Sequence, residues 1–158
     1  MPIFKPNIAG LKSKRDISGL VQALTIRDPE IRHAAAIALG ELKAAKAIPA
    51  IVGMLLADDS TRGERIAAAN ALGQIGEEIA IDSLAQANAS SRQGEQASID
   101  AALESTDPRY RANLYINRIS ADEFELRAAI AQAIGQIGGA QAIQALAEML
   151  VAEKGAME

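Results

Sequence analysis

Three glycines set the reading frame of this chain. Gly40, Gly73 and Gly135 stand at one position of a recurring phrase: IRHAAAIALGEL over 31–42, ERIAAANALGQI over 64–75 and LRAAIAQAIGQI over 126–137. The first two glycines are 33 residues apart and the last two 62, which is twice 31. Self-similarity of this length marks stacked supersecondary units, each too small to bury its own apolar face. The doubled gap predicts a degenerate copy centred on residue 104. EQASIDAALEST over 95–106 fits it: Ala102 and Leu103 are kept, Glu104 replaces the glycine, and Gln96 replaces the arginine shared by Arg32, Arg65 and Arg127.

A second pattern lies between the copies: DISGLVQAL (16–24), AIPAIVGMLL (47–56), IAIDSLAQA (79–87), RANLYINRI (111–119) and AIQALAEML (142–150). Its apolar residues return at helical spacing, as in Ile17, Leu20, Val21 and Leu24. Asp28-Pro29 and Asp107-Pro108 each put a capping carboxylate before a proline at the first helical position. Thr61 with Glu64, and Ser120 with Glu123, have the spacing of a capping box. No stretch alternates as a strand does. The expectation is an all-α single domain over 1–158, a right-handed αα-superhelix of about four and a half helix pairs. Its units run over 16–43, 44–76, 77–107, 108–138 and, as a half unit, 139–153. A glycine inside a helix costs about 1 kcal/mol relative to alanine. Its return at one phase, with Ala35, Ala36, Ala68, Ala69 and Ala131 nearby, predicts a neighbouring helix too close for a side chain. Glu104 then predicts a wider or bent interface in the third unit.

Composition serves mainly to exclude. The chain is 49% hydrophobic but only 3% aromatic, so its core is built from Ala, Ile and Leu. A net charge of −4 argues against nucleic acid, whose phosphates need a surplus of Lys and Arg on one face. Without cysteine there is no thiol catalysis, iron–sulfur cluster or disulfide. The longest apolar run, AIPAIVGMLLA over 47–57, is too short to cross a bilayer. The opening MPIFKPNIAGLKSKRD shows no apolar stretch of a signal peptide, and a cytoplasmic location is expected. GQIGEE and GQIGGA follow no strand and lack the phosphate-loop pattern. Their glycines suit helix ends. No G-x-S-x-G is present. Asp122, Glu123 and Glu125 read as carboxylates at a helix start, favoured there by the helix dipole. The repeat arginines read as a structural ladder, each paired with carboxylates near helix starts, such as Asp28 or Asp122, ahead of an anion site. No catalytic residue, cofactor or metal is expected.

DPEIRHAAAIALGELK, STRGERIAAANALGQIG and ADEFELRAAIAQAIGQIG resemble the short HEAT-like repeats named after phycobilisome lyases, and the resemblance covers residues 16–150. The period also invites ankyrin and tetratricopeptide readings, but the signatures of both are absent. NIAGLKSKRDISGLVQAL looks like the N-terminal cap of such an array. The resemblance implies that the first helix of each pair is convex and the second lines the concave side. It also implies which positions of the second helices meet solvent. These are His33, Ala34, Ile37 and Glu41; Ile66, Ala67, Asn70 and Gln74; Ala97, Ser98, Ala101 and Ser105; and Ala128, Ala129, Gln132 and Gln136. The partner-binding candidates among them are His33, Ile37, Glu41, Ile66, Asn70, Gln74, Gln132 and Gln136. Two isoleucines at one phase of neighbouring units hint at a contact surface.

Relatives built from the same repeats, the deoxyhypusine hydroxylases, hold two irons through His-Glu pairs placed just after the repeat arginine. The equivalent pairs here are His33-Ala34, Ile66-Ala67, Ala97-Ser98 and Ala128-Ala129. Oxygen-activating iron needs several imidazole and carboxylate ligands, which one histidine cannot supply. His33 therefore reads as a concave surface residue. The functional expectation is a non-catalytic scaffold that holds a protein or peptide on its concave face. The alternative is an accessory subunit or chaperone of a bilin lyase system. At the C-terminal end, AIQALAEMLVAEKGAME supplies a first-type helix without a second-type partner. Ala142, Ile143, Leu146, Met149 and Leu150 are expected to cover the last pair, with Gln141, Gln144, Glu148 and Lys154 outward. That predicts a mainly monomeric protein, with a dimer through this end as the alternative.

Overall fold

The computed structural model describes residues 5–90 and 121–155, and among these every regular element is a helix. They are α1 (Ile8–Ser13), α2 (Ile17–Ala23), α3 (Pro29–Glu41), α4 (Ile48–Leu56), α5 (Arg62–Ile75), α6 over 81–90, α7 (Ala121–Ile137) and α8 (Gly139–Gly155). The copies around Glu104 and the pattern RANLYINRI lie outside the described residues. So do the Asp107-Pro108 cap and Ser120, the first residue of the second capping box.

Local signals set the helix ends. Asp28 accepts the Glu30 amide at 3.1 Å, and Pro29 opens α3 where its missing N–H is not needed. At α5 the capping box is closed from both sides. The Thr61 hydroxyl accepts the Glu64 amide at 3.4 Å, and the Thr61 amide donates to the Glu64 carboxylate at 2.7 Å. Gly76 ends α5 with φ +79°, its amide returning to the Leu72 carbonyl at 3.1 Å. Gly138 does the same after α7, with φ +73° and a bond to Ile134 of 3.1 Å. A left-handed backbone of this kind favours glycine.

Helices α3, α5 and α7 are of the second type; α2, α4, α6 and α8 are of the first. Leu20, Leu39, Ile51, Leu72, Leu84 and Ile130 are fully buried in one core that runs through these layers. The glycine phase does what the sequence implies for two of its three members. A Cβ on Gly40 would stand 2.7 Å from the Ala71 Cα, and one on Gly73 would stand 2.7 Å from the Ala133 Cα. Backbones approach here because neither side carries bulk.

The second of these contacts joins α5 directly to α7. The stack therefore runs from α3 to α5 to α7, and the helix that carries Gly135 takes the place next to Gly73. Gly73 makes its close contact with Ala133 of α7, and the wider or bent interface expected at Glu104 lies outside the described residues. Gly135, the third member, is exposed, and no described residue stands within 4 Å of where its Cβ would be.

Candidate partner-binding face

Side chains four residues apart share one side of a helix. On α3 that side carries His33, Ile37 and Glu41; on α5, Ile66, Asn70 and Gln74; on α7, Ala128, Gln132 and Gln136. The close contacts fix how these rows meet. Gln74 Oε1 lies 2.6 Å from the Cβ position of Gly40, and Gln136 Oε1 lies 2.7 Å from that of Gly73. Each glutamine thus folds over the glycine of the preceding helix, and three rows lie in register.

Exposure follows the rows. His33, Glu41, Asn70, Gln74, Ala128, Gln132 and Gln136 are exposed, and so is Ile37, at 42%. Ile66 departs from expectation: it is half-buried and packs against the core. Ala67 and Ala129, expected in solvent, are buried at 3% and 8% exposure. Each lies one turn before the alanine that meets a glycine, so it faces the preceding helix rather than the open side. Ala34, at the same position of α3, is half-buried. Ala97, Ser98, Ala101 and Ser105 lie outside the described residues.

The face is nearly neutral. Glu41 forms an ion pair with Lys12 of α1, and the remaining polar groups are His33 and four primary amides. Each amide both donates and accepts. Nothing in this set is a nucleophile with a positioned base. Among the described residues no three His, Cys, Asp or Glu side chains gather as a metal site would require.

Behind the face, Arg32 pairs with a carboxylate near a helix start, as the ladder reading expects, but that carboxylate is Glu64 of the next unit and not Asp28. Asp28 caps α3 and pairs with Lys5 at 2.9 Å, an ion pair that holds its carboxyl below the usual range. Arg32 turns instead to the next unit. Its Nε donates to Glu64, and another guanidinium nitrogen donates to the Ile26 carbonyl at 2.9 Å. Arg65 donates to the Leu55 carbonyl at 3.0 Å, closing the end of α4. Glu64 is 1% exposed, a carboxylate at a position that holds Ile31 in the first copy and Leu126 in the last. Burial pushes its carboxyl up, but Arg32 and the hydroxyl and amide of Thr61 outweigh that and hold it below the ordinary value. The capping-box spacing puts Glu64 at the helix start, and the arginine ladder calls for a carboxylate of that kind; that Arg32 reaches the next unit, 32 residues away, is what the stack adds.

Stacked helical pairs that meet through glycine and alanine, with one open row of side chains, define a helical repeat array. Residues 17–104 match the family model for HEAT repeats, and residues 126–151 match that for the PBS lyase HEAT-like repeat. The chain belongs to the HEAT repeat family. A comparison with curated proteins gave no match. HEAT repeats generally mediate protein–protein interaction, and their scaffold is typically non-catalytic. Among the described residues no helix is long and apolar enough to cross a membrane.

Proposed function

We propose that this protein is a non-catalytic adaptor that binds a protein or peptide along the concave face of α3, α5 and α7. One observation carries the reading: three adjacent second-type helices present exposed side chains in register, and most of these are small or neutral. Asn70, Gln74, Gln132 and Gln136 offer paired donors and acceptors to a polar partner, and Ile37 offers an apolar anchor beside His33. Surface charge at these positions leaves the fold within about 0.5 kcal/mol, so the face can be altered without losing the scaffold. A photo-crosslinking residue placed at position 70 or 132 is expected to trap one partner in native extract. With the crosslinking residue moved to the exposed position 37 of the same face, Asn70→Arg with Gln132→Arg is expected to abolish the adduct. Equal trapping from Lys46, which is exposed outside these rows, would refute the reading.

A second reading rests on the match of residues 126–151 to the PBS lyase HEAT-like repeat: an accessory role in a bilin lyase system. An absorbance titration with a free bilin separates the two. An unchanged bilin spectrum removes the second reading.

A further inference from the structure

The residue after each repeat glycine is Glu41, Gln74 or Gln136. Gln74 folds back over Gly40 of α3, and Gln136 over Gly73 of α5. Glu41 reaches instead to α1, where it pairs with Lys12. Helix α1 thus meets this position of α3 as a preceding second-type helix meets it in α5 and α7, but the contact is of another kind. No glycine seats it: the atoms nearest a Cβ on Gly10 belong to Asn7, the cap of α1 itself. Helix α1 buries none of its six residues fully, whereas α2, one residue longer, buries Leu20 and Ala23. Ile8 and Leu11 lean half-buried on the core, and charge supplies the rest of the hold. Lys12 and Glu41 each keep 43% of the side chain in solvent, and the second pair, Lys5 with Asp28, keeps 66% and 26%. Pairs this open to water weaken as salt rises. The turn out of α1 rests on Arg15 in a left-handed backbone, φ 53°, where glycines 76 and 138 serve after α5 and α7.

We propose that α1 is a strap, latched to α3 by these ion pairs, that swings away while the rest of the stack stays folded. Its release breaks neither the glycine–alanine contacts joining α3, α5 and α7 nor the Arg32–Glu64 pair. It withdraws the Leu11 side chain from Gly19 of α2, where Leu11 Cδ2 lies 2.8 Å from the Cβ position. It also changes the charge of the candidate face. With the strap closed, Lys12 neutralises the one carboxylate among the partner-binding candidates; with it open, Glu41 carries a net negative charge on the side of α3 that bears His33 and Ile37. The use of this switch rests on the adaptor reading, and the strap itself does not.

Hydrogen exchange of the full chain, followed by NMR residue by residue, tests it. The Leu11 and Lys14 amides, bonded to the carbonyls of Asn7 and Gly10 at 2.9 and 3.2 Å, report on α1. Those of Leu39 and Leu72, inside α3 and α5, report on the stack. Protection in α1 is expected at least about tenfold below that of the stack. It should fall further, severalfold, as NaCl rises from about 0.05 to 1 M and the screening length shrinks, while the stack stays unchanged. Glu41→Lys, a change made outside α1, should lower α1 protection severalfold, and adding Lys12→Glu should restore it. Equal protection of α1 and the stack would show that α1 opens only with global unfolding, and would overturn the proposal. So would α1 protection that neither salt nor Glu41→Lys moves, or a Glu41→Lys loss shared by Leu39 and Leu72, which would place Glu41 in the hold of the whole stack. Failure of the face to trap a partner removes the adaptor reading and leaves these outcomes as they are.

Discussion

Gly73 and Gly135 occupy one position of one repeat and have opposite surroundings. Gly73 lies under α7, with the Ala133 backbone where its side chain would be; Gly135 looks onto open space. The α3–α5 and α5–α7 interfaces each close on a glycine, and the first also carries the Arg32–Glu64 ion pair. At Gly135 no described residue takes the neighbour's place. A repeated residue thus records what a repeat is built to receive, and only the stack shows whether it has received it.

The largest effect is expected at the ion pair that joins the first two units. Arg32→Met strands a carboxylate that is 1% exposed, and stranding a buried charge costs about 3–5 kcal/mol. Arg32→Met combined with Glu64→Leu should recover most of that loss. It would leave about 1 kcal/mol for the lost capping interaction at Thr61. Urea unfolding of the three proteins checks this, and a double variant no better than Arg32→Met would show that the pair is not the source. Next comes Gly73→Leu, which forces α5 and α7 apart and should cost about 2–3 kcal/mol by overpacking. A neutral result would mean that α7 does not lie on Gly73.

Acid should act on the same interface. Glu64 titrates below its ordinary value when folded, so its contribution is complete above the unfolded glutamate pKa of about 4.3. It is lost as the pH falls from there through the lower folded value, because the unfolded chain then binds more protons. Asp28, held low by Lys5, adds to the trend with the same sign. Unfolding midpoints measured from pH 6 down to pH 2.5 should fall steeply below about pH 4.3, and Glu64→Gln should flatten the fall. Parallel curves for the two proteins would assign the acid loss elsewhere.

Much of this was legible in the sequence, and the reasons differ by feature. Helix starts at Asp28 and Thr61 and the ends at Gly76 and Gly138 are local, set by residues within one turn. The seating of Gly40 on a neighbour was legible because glycine inside a helix has little other reason to recur. Adjacency was not. A gap of 62 residues reads as two periods, and periodicity alone cannot say whether α5 meets a nearer copy or α7. The buried alanines 67 and 129 were misplaced for a related reason. A methyl group suits an open face and a tight helix contact equally well, so only the neighbour decides. On the candidate face, Asn70, Gln74, Gln132 and Gln136 were easier, because long amides rarely fill an alanine-sized gap. Ile66 was the exception, its side chain long enough to lean back onto the core.

The smallest effect gives the sharpest comparison, because its sign changes between the two sites. Alanine has a higher helix propensity than glycine by about 1 kcal/mol in a helix interior, chiefly because it lowers the entropy of the unfolded chain. At Gly135 nothing opposes that gain, so Gly135→Ala should stabilise the isolated protein by about 0.5–1 kcal/mol. At Gly73 the same methyl group would stand 2.7 Å from the Ala133 Cα, a backbone atom that yields only if α7 shifts. Gly73→Ala should therefore destabilise, by about 1 kcal/mol or more once the propensity gain is subtracted from the overpacking cost. The pair of variants holds residue type, repeat position and helix context constant and changes only the neighbour. Equal signs in thermal unfolding would mean that the glycines answer to the backbone alone. Opposite signs would show that the neighbour, and not the helix backbone, decides what a methyl group at this repeat position does.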